Sequence, residues 1–478
     1  MAAHSPAVHI VSLGCARNDV DSEELAGRLA AGGFELVENP GAAEVVVVNT
    51  CGFIDAAKKD SIDTLLDAVD LKDTGSVRSV VAVGCLAERY GAELANELPE
   101  ADAVLGFDDY PDIAGRLRSI LAGETHVAHT PRDRRTLLPL TPVARREAAT
   151  AVSVPGHFDL PAGLAPASGP PVLRRRLDGS PTAPLKIASG CDRRCAFCAI
   201  PSFRGSYLSR GVDEIVAEAR WLVEQGVRET VLVSENSSSY GKDVPGGGGL
   251  EALLRSLDAV DGLEWIRVSY LQPAEVRPSL VEAMCGLGSV VSYFDLPFQH
   301  ASASVLRRMR RFGDADSFLG LLETIRSHDP LAGVRSNVIV GFPGETEADV
   351  EVLAGFLSAA RLDAVGVFGY SDEEGTEGAS LPDKVSEQEI ADRVGHLTSL
   401  VEELSAQRAE ERLGERVRVL LEEPGPDGDW VGRTTFQGPQ TDGSTTVCGL
   451  SAGRAGQFTW SRVVGVDGVD LLAEAEAR

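Results

Sequence analysis

The sequence predicts an α/β protein with an N-terminal parallel-sheet domain, a partial (β/α)6 barrel and a small C-terminal antiparallel β-barrel. Strand-like apolar runs alternate with helix-like stretches over the first 125 residues, and six further strand candidates alternate with helical patterns between residues 185 and 371. Such alternation is typical of βαβ units with parallel strands. Short strands broken by turns fill the end of the chain, which favours a small barrel there.

The N-terminal domain is predicted over residues 1–125. Its strand candidates lie at 8–13, 44–49 and 80–83, and helix-like stretches separate them. The run at 44–49 is rich in valine, as expected of a parallel strand that is buried on both faces. We therefore expect a parallel sheet covered by helices.

Residues 126–183 are predicted to form a Pro/Ala-rich linker that is partly disordered. Proline, alanine and arginine dominate the segment, and neither the helical nor the strand period persists in it. The stretches 161–166 and 169–171 cannot continue a helix, because proline lacks an N–H and clashes with the preceding turn.

Residues 184–410 are predicted to form the partial barrel, and residues 411–478 the small antiparallel barrel. The barrel strands are expected at 185–189, 230–234, 265–270, 290–296, 336–340 and 364–368. A barrel of this kind places its chemistry at the C-terminal ends of its strands. A polar helix over about 386–412 connects the two parts.

Composition narrows the classes of protein that the chain can belong to. Its 478 residues are 43% hydrophobic, enough to bury several cores, yet no apolar run is long enough to span a bilayer. The first nine residues lack the basic and apolar segments of a secretory signal, so we expect a cytoplasmic protein. The net charge of −27 should repel a polyanion such as RNA and attract a basic partner.

Three cysteines follow the first predicted barrel strand directly: Cys191, Cys195 and Cys198. Three thiolates can bind three irons of a 4Fe–4S cluster and leave the fourth iron open to chelate a substrate. A structural zinc site would need a fourth Cys or His nearby, which the loop 192–210 does not offer, and a ferredoxin site would close the cluster. The motif favours a radical S-adenosylmethionine enzyme, with a zinc site or a plain electron carrier as alternatives.

A second set of cysteines is dispersed in sequence: Cys15, Cys51 and Cys85. Each comes directly after a strand candidate of the N-terminal domain. The C-terminal ends of adjacent parallel strands share one edge of a sheet, so we expect the three thiols to converge there. The spacing therefore predicts a second cluster with an open iron, although a buried cysteine alone can act as a small hydrophobe. Cys285 and Cys448 are interpreted as such packing residues.

Together these motifs resemble the radical S-adenosylmethionine methylthiotransferases of the RimO family. The resemblance covers nearly the whole chain outside the linker. It is carried by residues 12–23, 49–54, 84–90, 190–201, 204–205, 295–300 and 341–346. The C-terminal barrel is similar to a TRAM domain, with 431–434 and 470–472 in the expected places.

The resemblance implies the cofactors and the reaction. Two 4Fe–4S clusters and S-adenosylmethionine are expected, one cluster held by each cysteine set. The barrel cluster would generate a 5′-deoxyadenosyl radical that takes hydrogen from the β-carbon of an aspartate on the twelfth protein of the small ribosomal subunit. The N-terminal cluster would supply sulfur as a methylthio group. The expected partners are that basic ribosomal protein and an electron donor such as flavodoxin or ferredoxin, with no membrane.

Five positions besides the cysteines are candidates for binding the cofactors. Glu235 and Asn236 end the second barrel strand, whereas Gly341 and Glu345 follow the fifth. A tight turn that needs glycine explains the second pair as well. Phe197, inside the cysteine motif, is expected to shield the cluster from water or to pack the loop. The sequence assigns no catalytic side chain.

The nearest alternative function is that of the MiaB family, which methylthiolates adenosine in tRNA and shares the architecture. After the second cysteine that family usually has basic or polar residues, whereas this chain has Gly52, Phe53 and Ile54. Residues 411–478 carry 11 acidic and 7 basic residues, and this negative surface suits a basic protein better than a phosphate backbone. The sequence therefore favours a protein acceptor and makes tRNA an unlikely partner.

Overall fold

A computed structural model gives the fold of the chain. It describes residues 5–139, 141, 144–145, 148, 152–155, 174–244, 246, 248–450 and 452–476. No helix within these ranges is both long enough and apolar enough to cross a membrane.

The N-terminal domain is a parallel five-stranded sheet in the order β2-β1-β3-β4-β5. Its strands are β1 (Ala7–Ser12), β2 (Glu35–Leu36), β3 (Val45–Thr50), β4 (Ser79–Gly84) and β5 (Ala103–Val104). Its helices are α1 (Ala16–Ala31), α2 (Asp55–Thr74), α3 (Cys85–Tyr90), α4 (Ala92–Glu97) and α5 (Ile113–Leu121). Every residue of β3 and β4 is buried, which confirms the predicted parallel sheet with helices on both faces.

The register of the three central strands brings their C-terminal ends level. Ser12 at the end of β1 lies opposite Asn49 of β3, and Thr50 at the end of β3 lies opposite Gly84 of β4. Residues that follow these strands therefore emerge at one edge of the sheet.

The barrel consists of two parallel three-stranded sheets, in the orders β6-β9-β10 and β11-β12-β13. A bridge between Ile266 and Val290 joins them. Its strands, with the short pair β7 and β8, are β6 (Thr182–Lys186), β7 (Ala188–Ser189), β8 (Leu208–Ser209), β9 (Glu229–Val233), β10 (Trp265–Val268), β11 (Tyr293–Asp295), β12 (Gly333–Val340) and β13 (Ala364–Gly369). All six predicted barrel strands are present, which confirms the partial barrel.

Helices alternate with the barrel strands and cover their outer face. They are α6 (Ile200–Arg204), α7 (Val212–Glu224), α8 (Gly249–Asp258), α9 (Pro278–Gly286), α10 (Ala303–Arg308), α11 (Ala315–His328), α12 (Glu347–Ala360) and α13 (Glu387–Glu410). One apolar core runs through strands and helices, and within it the ring of Phe356 meets those of Phe298 and Phe318 edge to face.

The predicted strand 185–189 divides in two because the chain changes partner at Ile187. The Ile187 N–H donates to Val233 of β9, while its carbonyl accepts from Arg210, next to β8. The antiparallel pair β7–β8 results, and it brackets the segment that carries Cys191, Cys195 and Cys198.

The C-terminal segment closes into a five-stranded barrel in the order β14-β15-β16-β18-β17. Its strands are β14 (Arg416–Pro424), β15 (Trp430–Arg433), β16 (Thr445–Cys448), β17 (Phe458–Asp467) and β18 (Asp470–Ala475). Pairing is antiparallel as predicted, except that β16 and β18 run parallel.

Much of the predicted linker, residues 156–173, lies outside the described residues. The described parts beside it are attached to both large domains. Arg174 is buried and pairs with Glu23 of α1 at 2.5 Å and with Glu218 of α7 at 2.7 Å. One guanidinium between two carboxylates thus connects the N-terminal domain to the barrel.

Candidate active site

The dispersed cysteines come together at the C-terminal edge of the N-terminal sheet. Cys15 precedes α1, Cys51 follows β3 directly, and Cys85 follows β4 as the first residue of α3. The thiols are close enough to affect one another's ionisation. The predicted convergence of these three residues is present in the structure.

Glycines beside the cysteines allow this close approach. Gly14 has a φ of +96°, and a Cβ there would lie 2.9 Å from Cβ of Cys51. A Cβ on Gly52 would lie 2.9 Å from Cα of Leu86, which follows Cys85. Side chains at these two positions would push the cysteine segments apart.

Two arginines, Arg17 and the buried Arg204, face the N-terminal thiols. Nε of Arg17 donates to Sγ of Cys15 at 3.4 Å, and Nη2 of Arg204 donates to Sγ of Cys85 at 3.0 Å. Arg204 also pairs with Asp21 at 2.8 Å and donates to Asn18 at 2.8 Å, so its position is fixed.

Burial and neighbouring charges give the three thiols of this set different pKa values. Burial opposes ionisation of Cys15, but the nearby guanidinium of Arg17 lowers its pKa below the ordinary value. Burial raises the pKa of Cys51, and it raises that of Cys85 to about 11 despite the opposing charge of Arg204. Cys15 is therefore the thiol of the set that loses its proton most readily.

The second set lies on one loop between β7 and α6. The N–H of Cys191 donates to Gly205 at 3.0 Å, and the N–H of Cys198 donates to Cys195 at 3.1 Å. Phe197 packs into an apolar group with Phe342 and Tyr370 on the far side of the loop. These contacts fix the loop.

Burial disfavours ionisation of two thiols in this set. Burial raises the pKa of Cys191 well above its ordinary value and that of Cys198 to about 12, and the neighbouring thiols of the set add to both shifts. Arg311, whose Nη1 lies 3.8 Å from Sγ of Cys195, and Arg17 act in the opposite direction on Cys198. Bound irons would supply the positive charge that three converging thiolates need.

The spacing of the donors tests which metal group each set fits. Within the described ranges, no three His, Cys, Asp or Glu side chains surround one point closely enough to hold a single ion. A tetrahedral zinc site needs sulfurs about 2.3 Å from one metal. In a 4Fe–4S cluster each thiolate binds a different iron, so three thiols that converge without surrounding one point fit that group.

Two buried acceptor oxygens lie beside the barrel cysteines. The side chain of Glu235 is 3% exposed, and among the described residues neither its Oε2 nor the buried Oδ1 of Asn236 has a hydrogen-bond partner. Glu235 is close enough to Cys191 to raise its pKa. The pair fits a ligand that brings donors, such as the ammonium group of S-adenosylmethionine.

Arg17 joins the two cysteine sets. Besides Cys15 it contacts the carbonyl of Ser234 at 3.4 Å and Glu235 at 3.8 Å, and its guanidinium carbon lies 4.9 Å from the ring centre of Tyr270. This one cation therefore contacts a thiol of the first set and the carboxylate beside the second.

The other candidate pair, Gly341 and Glu345, forms a turn. Oε1 of Glu345 accepts from the Gly341 N–H at 2.9 Å and pairs with Arg393 at 2.7 Å, and Oε2 lies 3.4 Å from Nε2 of His300. Oε1 is thus engaged, whereas Oε2 and Nε2 of His300 have no hydrogen-bond partner among the described residues, and a role in binding the cofactor stays a prediction.

Sequence reasoning assigned no role to Arg17, Arg204, Tyr270 or Glu373. Glu373 follows β13, is buried, and pairs with Lys58 of α2 at 2.7 Å and Arg89 of α3 at 2.8 Å. A local sequence motif does not show partners that are distant in the chain. A cation two residues from a candidate cysteine is nevertheless a signal that could have identified Arg17.

A cavity of about 710 Å³ opens where the three domains meet. Cys15 and Tyr270 lie at its wall, together with Asp295 and Arg335 from the barrel and Gln440 from the C-terminal domain. Arg335 lies 3.5 Å from Asp295 and 3.0 Å from Asp442. The cavity gives a substrate a route from the surface to the first cysteine set.

Three family models match the chain: Uncharacterized protein family UPF0004 at residues 7–106, the Radical SAM superfamily at 185–357 and the TRAM domain at 413–475. Among solved structures, the radical S-adenosylmethionine methyltransferase TsrM from Kitasatospora setae, with cobalamin and a 4Fe–4S cluster bound, has a TM-score of 0.53 at 15% identity and covers 77% of this chain and 75% of that one. This likeness supports the fold.

Sequence relatives extend over nearly the full length. The ribosomal protein uS12 methylthiotransferase RimO from Cutibacterium acnes is 63% identical, covering 99% of this chain and 98% of the relative. Its counterpart from Streptomyces coelicolor is 61% identical, covering 98% and 97%. With these similarities and two converging cysteine sets, the chain belongs to the RimO family of ribosomal protein uS12 methylthiotransferases.

Proposed function

We propose that this chain is a radical S-adenosylmethionine enzyme that places a methylthio group on the β-carbon of an aspartate of ribosomal protein uS12. The observation that carries the proposal is the pair of cysteine sets, each at the C-terminal end of its own sheet, with Arg17 in contact with both sides. RimO relatives at 61–63% identity support uS12 as the acceptor.

The six cysteines are the proposed cluster ligands, Cys15, Cys51 and Cys85 for one and Cys191, Cys195 and Cys198 for the other. When bound, the clusters and S-adenosylmethionine supply the radical and the methylthio group. The protein contributes the placement of these groups and a largely buried environment between them. Phe197 packs against an apolar group, and this packing supports its proposed role in shielding the loop from water.

Glu235 and Asn236 are the residues proposed to bind the methionine part of the cofactor. Their unpartnered oxygens can accept hydrogen bonds from an ammonium group. Once a ligand ammonium neutralises Glu235, the guanidinium of Arg17 becomes available to a second carboxylate. An aspartate that enters through the 710 Å³ cavity beside Cys15 brings such a carboxylate.

The first experiment compares two acceptors in a strain that lacks this gene. Mass spectrometry should find uS12 without its methylthio group and tRNA unchanged, and the plasmid-borne chain should restore the mark, whereas its Cys191→Ala form should not. Loss of the tRNA mark alone would contradict the proposal and favour the MiaB-type activity. Failure of the reduced, reconstituted protein to form 5′-deoxyadenosine would favour a plain electron carrier.

The second experiment tests whether Glu235 binds S-adenosylmethionine. Glu235→Gln should weaken binding of S-adenosylmethionine to the reconstituted protein about tenfold, because it removes a charged acceptor. Equilibrium dialysis measures this. Glu224→Gln, the same change at an exposed position at the end of α7, is the control. Equal affinities of the two variants would exclude Glu235 from the binding site.

A further inference from the structure

A concave surface rich in arginine lies beside the barrel cysteine loop. This arginine surface encloses about 660 Å³ and is lined by Arg193, Arg194, Arg307, Arg310, Arg311 and Phe312. The acidic residues in its lining are Asp192 and Asp314. Positive charge thus predominates locally in a chain whose net charge is −27.

The acidic residues of the lining are already engaged. Asp192 pairs with Arg145 at 2.7 Å, and Asp314 accepts from the Ser317 N–H at 2.8 Å to cap α11. Within the described part of the chain, no carboxylate pairs with Arg194 or Arg307, and both are exposed. Arg193 pairs with Glu275, and Arg310 pairs with Glu377. Among the described residues, Arg194 and Arg307 are therefore the cations that the surface leaves free to meet a negatively charged partner.

The arginine surface reaches the proposed cluster ligands. A neighbouring cavity of about 560 Å³ shares Arg193, Arg194 and Arg310 with it, and Cys195 and Cys198 line that cavity. Arg311, which lines the arginine surface, also contacts the loop: its Nη1 lies 3.8 Å from Sγ of Cys195. A protein bound on this surface would lie next to two of the three thiols.

Phe312 adds an apolar anchor to the charges. Its side chain is 71% exposed and lines the same surface as the arginine residues. Arginine and aromatic residues are enriched at the centres of protein interfaces, where they supply much of the binding energy. An exposed phenylalanine among cations suits a protein partner more than a nucleic acid backbone.

We propose that the arginine surface is the docking site of a small acidic protein that carries one electron. The inference rests on the proposed function, since it assumes a cluster held by Cys191, Cys195 and Cys198. The carrier loses one electron and the cluster gains it. In a flavin carrier the anionic hydroquinone becomes the neutral semiquinone in this step, so no proton needs to leave the interface. Complementary charge would speed the encounter and orient the carrier toward the loop.

The cavity that opens beside Cys15 and Tyr270 leaves this surface free during catalysis. That cavity is lined by residues of all three domains, and none of its lining residues belongs to the arginine surface. A basic ribosomal substrate would be repelled by clustered arginines, whereas an acidic carrier would be attracted. Donor and substrate can therefore bind at the same time.

The test uses the reconstituted full-length protein and a strongly acidic bacterial flavodoxin as the probe. Arg307→Glu should weaken flavodoxin binding, measured by calorimetry at low salt, by at least about tenfold. It should slow reduction of the cluster by flavodoxin hydroquinone in stopped flow by a similar factor. Raising the salt concentration should narrow the difference, because screening weakens exposed charges. Phe312→Ala should weaken binding at both salt concentrations.

The matched control is Arg255→Glu, the same charge reversal at an exposed arginine in the last turn of α8. It should behave like the unchanged chain. Equal flavodoxin affinities of the Arg307 and Arg255 variants would overturn the proposal. It would also be overturned if Arg307→Glu weakened the binding of ribosomal RNA and left flavodoxin binding unchanged.

Reduction by dithionite separates the docking proposal from the proposed function. With dithionite, Arg307→Glu should cleave S-adenosylmethionine at the unchanged rate, because a small reductant needs no docking site. If the unchanged chain forms no 5′-deoxyadenosine with dithionite, the proposed function fails, and the docking site fails with it. If the unchanged chain forms 5′-deoxyadenosine with dithionite but Arg307→Glu binds flavodoxin with unchanged affinity, the proposed docking site alone is contradicted.

Discussion

The two cysteine sets reach similar arrangements by different routes. Cys191, Cys195 and Cys198 lie within eight residues on one loop, whereas Cys15, Cys51 and Cys85 come from three strands. One set depends on the conformation of a loop and the other on the register of a sheet. The first can therefore be recognised from its spacing, and the second requires the fold.

The surroundings of the sets differ in charge as well as in origin. Arg17 and Arg204 donate hydrogen bonds to thiols of the N-terminal set, and the pKa of Cys15 is lowered. In the barrel set, burial predominates and raises the pKa values of Cys191 and Cys198. The difference suits an N-terminal set that handles anionic sulfur and a barrel set whose thiols are buried.

Removing one cysteine from each set gives the largest expected effect. Cys15→Ala and Cys191→Ala should each keep about half of the iron and sulfide of the unchanged chain after anaerobic reconstitution. Cys15→Ala should still form 5′-deoxyadenosine but transfer no methylthio group, and Cys191→Ala should do neither. Iron and sulfide assays with product analysis measure this.

Cys285→Ala is the control, because that residue lies in α9, away from both sets. Loss of all iron from either single variant would contradict two independent clusters.

Arg17 is the next position to alter, because it contacts both sides of the site. Arg17→Met should lower methylthio transfer about 100-fold by misplacing the reacting groups, with 5′-deoxyadenosine formed out of proportion to product. Arg17→Lys keeps the charge and should restore part of the coupling. Equal coupling in the two variants would mean that the charge of Arg17 does not act in the reaction.

Glu373 tests whether the two sets need a fixed separation. Glu373→Gln leaves Lys58 and Arg89 without their shared counter-charge and should destabilise the contact between the domains by about 2 kcal/mol. The midpoint of thermal unfolding should fall, and coupling should weaken less than in Arg17→Met. Glu374→Gln, one residue further along, is the control, since Arg89 contacts only the backbone carbonyl there. An unchanged midpoint in Glu373→Gln would show that this contact does not hold the domains together.

The smallest effect concerns the thiols of the protein before cluster assembly. A lowered pKa gives Cys15 more thiolate at a given pH, whereas the pKa of about 11 leaves Cys85 protonated. Iodoacetamide should therefore label Cys15 before Cys85 near pH ~8, and the difference should shrink as the pH rises. Peptide mass spectrometry measures the rates. In Arg17→Met the labelling of Cys15 should slow, and an unchanged rate would contradict the role of that guanidinium.

Much of the fold could be predicted because its signals are local. Valine-rich strands such as 44–49 and the strict alternation of strands and helices indicated the parallel sheet and the partial barrel, which the structure confirms. The parallel pairing of β16 with β18 was outside such reasoning, since it depends on how a small barrel closes.

The sequence by itself determined which cysteines form the two sets and which family the chain resembles, because the spacing of the thiols and the ends of the strands can be recognised from the order of residues. The tertiary structure alone decided which charges face the thiols. Arg204 lies 119 residues from Cys85, and Glu373 lies 284 residues from Arg89, yet each pair is in direct contact. Ion pairs between domains leave no periodic pattern in the chain, since they depend on how separately folded parts pack together.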